Sequence, residues 1–155
     1  MILGNKRTAG KKWDDLGVGD RLEVTRTVAD RDILLHLGVM DDANPMYLHS
    51  HDAEFGRLAV PPGLLAGWMT SLVSTRLPGP GSVIREQRLR FPRLLPHGAA
   101  VTLSLELTEK HAEKKMVTIK AMVRDEDGRP VVEGEFLVSP PRPAPSLLHH
   151  ALDNF

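Results

Sequence analysis

The chain has 155 residues, with 20 Lys plus Arg against 20 Asp plus Glu and no cysteine. A balanced charge excludes the strong basic excess of non-specific nucleic-acid and anionic-membrane binders. The lack of cysteine excludes a disulfide framework, a thiolate nucleophile and a Cys-ligated metal. No apolar run approaches the ~18 residues of a membrane helix, so one soluble domain in the cytoplasm, with a single core, is the expectation.

Residues 1–14 carry Lys6, Arg7, Lys11 and Lys12 and an apolar stretch of only three residues. This is too short for a secretory core and is read as a flexible arm. In "DRLEVTRTVA", Leu22 and Val24 alternate with charged neighbours, the pattern of a half-buried strand. Asp30 then suits an N-cap for a short helix with Ile33, Leu34 and Leu37 on its inner face and Gly38 at its end. The loop "DDANPMYLH" follows, with a helical turn expected near Asp52 to Phe55.

The segment "PPGLLAGWMTSLVSTRL" reads as the long helix, with Pro61 and Pro62 at its start and Pro78 to Gly81 at its end. Leu64, Leu65, Trp68, Met69, Leu72 and Val73 give it a broad apolar face, and Gly63, Gly67 and Ser71 form a row suited to close approach by a neighbouring element. Beyond it the apolar period changes to two. "SVIREQRLRFPR" places Leu89 and Phe91 on one face; "AVTLSLELTEK" and "KMVTIKAMVR" alternate without error; "DEDGRP" is a hairpin turn; and "VVEGEFLV" closes the sheet. Short turns between the strands predict an antiparallel, sequential sheet with one face on the helix. The fold class is α+β, one antiparallel sheet wrapped around one long helix, over residues 15–140, with a proline-rich linker and tail at 141–155.

Three features carry candidate chemistry. In the loop, Asp42, Asn44, Tyr47 and His49 have two readings: turn chemistry, because Asx residues bond their own backbone and Asn-Pro starts turns, or an acid/base site converging on one water. At the helix start, Gly63 offers a backbone N–H without an intrahelical acceptor at the positive end of the dipole, suited to an enolate oxygen, although taken alone a glycine there is more simply explained by close helix packing. Arg85, Arg88, Arg90 and Arg93 suit either a solvated sheet face or the phosphates of a nucleotide-bearing substrate. His36, His97, His111, His149 and His150 lack metal-ligand spacing, and no metal site is expected. No phosphate-binding glycine loop, Gly-x-Ser-x-Gly elbow or His-Glu-x-x-His helix occurs.

The order and spacing of Asp42-Ala43-Asn44-Pro45-Met46-Tyr47, Phe55-Gly56, Pro61-Pro62-Gly63 and "LPGPG…LRFPR" resemble the MaoC-like family of hot-dog proteins, the (R)-specific enoyl-CoA hydratases and 3-hydroxyacyl-thioester dehydratases. The resemblance covers about residues 15–140. It implies addition of water to the 2,3-double bond of an enoyl thioester of CoA or a carrier protein, or the reverse, with no cofactor. It implies Asp42 as the acid/base carboxylate, Asn44 as the residue orienting the loop and Gly63 as the oxyanion donor; Asn44, Pro62, Arg90 and Arg93 are the expected substrate contacts. It further implies a homodimer, or a hetero-oligomer with a catalytic partner of the same family. The sequence departs from the motif where Tyr47 replaces its histidine and Pro62 the histidine before the helix glycine, and the loop between Asn44 and Gly63 is about two residues shorter. A phenol is a poor base at neutral pH, though it can hold a water or donate a proton. His49, two residues on, is the other candidate for that role. A hydratase or dehydratase, a non-catalytic acyl-thioester-binding subunit, and a thioesterase on the same fold all remain open at this point.

Overall fold

The computed structural model describes residues 9–49 and 58–142. A 3₁₀ turn (Trp13–Asp15) leads to strand β1 (Arg21–Thr27), helix α1 (Asp30–Met40), the single-turn helix α2 (Pro45–Leu48) and the long helix α3 (Pro62–Thr75). Four further strands follow: β2 (Val83–Arg90), β3 (Ala100–His111), β4 (Met116–Arg124) and β5 (Pro130–Ser139). They build one antiparallel five-stranded sheet, in the order β1-β3-β4-β5-β2, wrapped around α3: an α+β hot-dog fold.

The alternation read in the sequence is what positions the core. Val101, Leu103, Leu105 and Leu107 of β3 and Val117, Ile119, Ala121 and Val123 of β4 all point inward and are buried, as are Val132, Phe136 and Val138 of β5. They meet Leu64, Leu65, Met69 and Val73 of α3, with Trp68 and Leu72 packed at the margin. Register shifts at Leu107/Glu109 and Ile84/Glu86 introduce irregularities of the kind that increase strand twist and let a sheet curve around a helix. Asp125 holds the β4–β5 turn by accepting from the N–H groups of Asp127 and Arg129, with Gly128 at φ 76°.

Several expectations are corrected. The strands are not fully sequential: β3, β4 and β5 form a meander, but β2 crosses over to pair with β5 instead of β3. Gly134 makes that pairing possible, because a β-carbon there would collide with the Arg88 carbonyl. The N-cap of α1 is Ala29, whose N–H donates to the Asp32 carboxylate at 3.2 Å, so Asp30 lies inside the helix. Gly38 does not end α1, which runs on to Met40 and closes through Asp41 in the left-handed conformation (φ 52°). Ile33 and Leu37 are buried as expected, whereas Leu34 is exposed. Of the exposed row Gly63, Gly67 and Ser71, Gly63 is approached closely by α1 as expected, with His36 3.2 Å from the place of its β-carbon, whereas Gly67 meets nothing within 4 Å. Phe91 falls beyond β2 and is exposed. The turn expected at Asp52 to Phe55 lies outside the described residues.

Of the expected arm, residues 10–14 are attached to the body. Lys11 N–H donates to the Pro78 carbonyl, and Trp13 packs on the core with its indole N–H donating to the Met116 carbonyl. Among the described residues no helix is long and apolar enough to cross a membrane.

Candidate functional site

The site forms where α1, the loop after it, α2 and the first turn of α3 are tied together. The chain just ahead of α3 is held from both sides. Ala59 N–H donates to the Met46 carbonyl of α2 at 3.1 Å, Val60 N–H donates to Leu95, and His97 N–H donates to Leu58. The same 95–97 segment reaches α1 through His97 Nε2 and Asp30 Oδ1, 3.1 Å apart.

The loop residues do the turn chemistry anticipated for them. Asn44 caps α2 by accepting the Met46 N–H at 3.1 Å, and Pro45 fills the first helical position, where a missing N–H costs nothing. Asp42 Oδ1 accepts the Asn44 N–H at 3.0 Å, which leaves Oδ2 without a bond among the described residues. Turn formation therefore uses half of this carboxylate and is compatible with a further task for the other half.

Tyr47 is half-buried and packs against the core. Burial, and secondarily the negative charge of Asp42, push its phenol pKa above the ordinary value. The hydroxyl thus stays protonated at any physiological pH, which makes it a hydrogen-bond donor and removes it as a base. His49 stands two residues further at the C-cap of α2 and is exposed, its backbone N–H donating to the Pro45 carbonyl at 2.8 Å. The structure thus couples Asp42 electrostatically to Tyr47, and sets His49 at the surface end of the same turn.

Gly63 occupies the second position of α3, directly after Pro62. Its N–H is one of the first-turn donors with no intrahelical acceptor, while the next one, Leu64 N–H, already bonds the Pro61 carbonyl at 3.0 Å. The residue against it is His36, one of the histidines without metal-ligand spacing. The Cε1 and Nε2 atoms of His36 both lie 3.2 Å from the point a Gly63 β-carbon would occupy. A signal for this was present: His36 follows Ile33 by three positions and precedes Leu37, the two buried residues of α1, so it shares their side of the helix.

The arginines separate. Arg90 neighbours the inward Leu89 and therefore points to the opposite face of the sheet, where it pairs with Glu133. Arg93 lines a crevice of about 10 Å³ with Pro62, Leu65 and Phe91 beside the start of α3, about the room of one water. A wider hollow of about 670 Å³ lies on the outer face of the sheet among Arg88, Arg90, Lys120, Glu133 and Glu135. Its charges are answered across the strands, with Arg90 opposite Glu133 and Lys120 opposite Glu135, and it is not part of the loop cluster. Among the described residues no three His, Asp or Glu side chains gather in a way that would hold a metal ion.

No family model matches the chain. An (R)-specific enoyl-CoA hydratase of Rhodospirillum rubrum is 31% identical over 132 residues, covering 83% of this chain and 91% of that protein. A 3-hydroxybutyryl-CoA dehydratase of Methylorubrum extorquens is 29% identical over 133 residues, covering 84% of each. Among solved structures, the R-hydratase PhaJ1 of Pseudomonas aeruginosa superposes with a TM-score of 0.81 at 30% identity, over 86% of this chain and 87% of that one.

Proposed function

Because the chain belongs to the MaoC-like hot-dog family of enoyl-CoA hydratases and dehydratases, we propose that it adds water across the 2,3-double bond of an acyl-CoA thioester, or removes it in reverse. The observation that carries the site assignment is a carboxylate with one unbonded oxygen, Asp42, on the same loop as Tyr47, tied to the start of α3 through the Ala59–Met46 hydrogen bond. In this reading the Gly63 N–H receives the thioester carbonyl, whose oxygen gains charge as the enolate forms. Tyr47 O–H and the unused Asp42 oxygen hold the water. Asp42 removes a proton from it as the oxygen attacks the β-carbon. Asn44 keeps the loop in shape through its cap on α2. Pro62 and Arg93, beside the helix start, are the contacts assigned to the substrate, whereas Arg90 is engaged with Glu133 on the far face. Written this way the reaction consumes only water and the thioester and calls on no cofactor.

The same proposal includes a homodimer in the cytoplasm. It is supported by the sheet edges β1 and β2, which pair with no further strand among the described residues, and by the outer side of α1, where Leu34, Leu35, Val39 and Met40 are all more than 60% exposed. A hetero-oligomer with a second family member would cover the same surfaces.

A non-catalytic acyl-thioester-binding subunit is the second reading, favoured by one feature, the phenol that cannot act as a base at position 47. Incubation with crotonyl-CoA separates the readings. Loss of the enoyl absorbance with 3-hydroxybutyryl-CoA formed supports the hydratase. Tight binding without turnover supports the subunit, and release of free CoA supports a thioesterase.

A further inference from the structure

Hydration needs two proton transfers, and the proposed Asp42–water pair accounts for only the first. We propose that His36 carries out the second, donating a proton to the α-carbon in hydration and removing it in dehydration. This rests on the hydratase reading above.

The α-carbon is one bond from the carbonyl carbon, so a thioester whose oxygen sits on the Gly63 N–H presents its α-carbon close to whatever group borders Gly63. That group is the His36 imidazole, its Cε1–Nε2 edge 3.2 Å from the position of a Gly63 β-carbon. The glycine leaves open the space a methyl would take between ring and helix. His36 is half-buried, held on α1 between Ile33 and Leu37, and neither ring nitrogen makes a hydrogen bond or ion pair among the described residues. An imidazole is also the side chain that most often serves as a general acid or base, the role the second transfer requires. Tyr47 is held protonated, and His49 is exposed at the far end of α2.

The water oxygen forms the bond to the β-carbon while its proton passes to Asp42. The π pair of the double bond shifts toward the carbonyl, giving an enolate on the Gly63 N–H. The enolate then reforms the carbonyl as the α-carbon takes the Nε2 proton, and its N–H pair stays on the ring. Solvent returns the Asp42 proton to His36.

The test is crotonyl-CoA hydration by the full-length protein and by His36→Gln, with circular dichroism and thermal unfolding as controls. The expected result is a fall in kcat of about 10²–10⁴ with KM little changed, and partial rescue of His36→Ala by added imidazole. A His36→Gln enzyme within about threefold of the parent kcat, against the ~10²–10⁴ expected of a lost acid/base group, overturns the proposal. A parent protein without hydratase activity removes the underlying reading, a separate failure. An independent check needs no variant to fold. Saturation of the parent with unreactive butyryl-CoA should shift the assigned Cε1–H resonance of His36, and an unmoved resonance in a saturated complex also overturns it.

Discussion

Asp42 and Tyr47 sit close enough that the carboxylate of one raises the phenol pKa of the other, in addition to the larger effect of burial. Tyr47 is the single tyrosine in the chain, so an alkaline titration followed by phenolate absorbance reads this group alone. The expected midpoint lies above the ordinary value of about 10. Asp42→Asn should lower it while leaving it above that value, because burial persists. The sign follows from which form each neighbour disfavours: both burial and a carboxylate oppose the phenolate. An identical midpoint in the variant would show that the two residues do not sense each other.

Gly63→Ala separates activity from stability. Alanine is the better helix former by about 1 kcal/mol, but its methyl would lie 3.2 Å from the His36 ring and force it to give by a few tenths of an ångström. The melting temperature should therefore move little in either direction. Turnover should fall about 10²-fold, the scale of a small misplacement of reacting groups. Parallel kinetics and differential scanning calorimetry check this, and a full-rate variant would show that the space beside Gly63 is unused.

Gly134→Ala tests the crossover of β2. The added methyl would meet the Arg88 carbonyl, so β2 must move away from β5 along an edge that Arg90–Glu133 also spans. A loss of at least about 1–3 kcal/mol is expected from overpacking against backbone, read from urea denaturation. Hydrogen exchange should increase first in β2 and the central β5 residues.

Asp125 predicts a pH dependence of stability. Burial would raise its pKa, but hydrogen bonds from Arg129 and Asp127 and the Arg129 charge outweigh it and hold the carboxyl below the ordinary range. Its contribution is thus present above the unfolded-state value of about 4 and is lost as pH falls through the lower folded value. Unfolding free energies of the parent should decline over that acid window more steeply than those of Asp125→Asn. Equal slopes would mean that the β4–β5 turn is not held by this carboxylate.

The legible and illegible parts of the molecule differ in range. The meander of β3, β4 and β5 was readable because each strand buries one face, which forces period-two alternation in residues such as Leu103, Leu105 and Leu107. The long helix was readable from Pro62 and the apolar run after it. Helix α2 was missed although its signals, Asn44 as cap and Pro45 at the first position, were in view, since a single turn leaves no apolar period to read. The place of β2 at the β5 edge was not readable, because it depends on contact between Gly134 and Arg88, 46 residues apart, and not on either segment's own pattern. For the site, Asp42, Asn44 and Gly63 stood out as motif positions. His36 did not, because what matters about it is a contact between two helices separated by the whole loop.

The most direct measurement is the rate of crotonyl-CoA hydration by the parent chain and by Asp42→Asn. Turnover by the parent and a fall of about 10²–10⁴ in the variant are expected, with binding of saturated acyl-CoA retained. A parent that binds acyl-CoA but forms no 3-hydroxybutyryl-CoA, or an Asp42→Asn variant as fast as the parent, would contradict the proposed function.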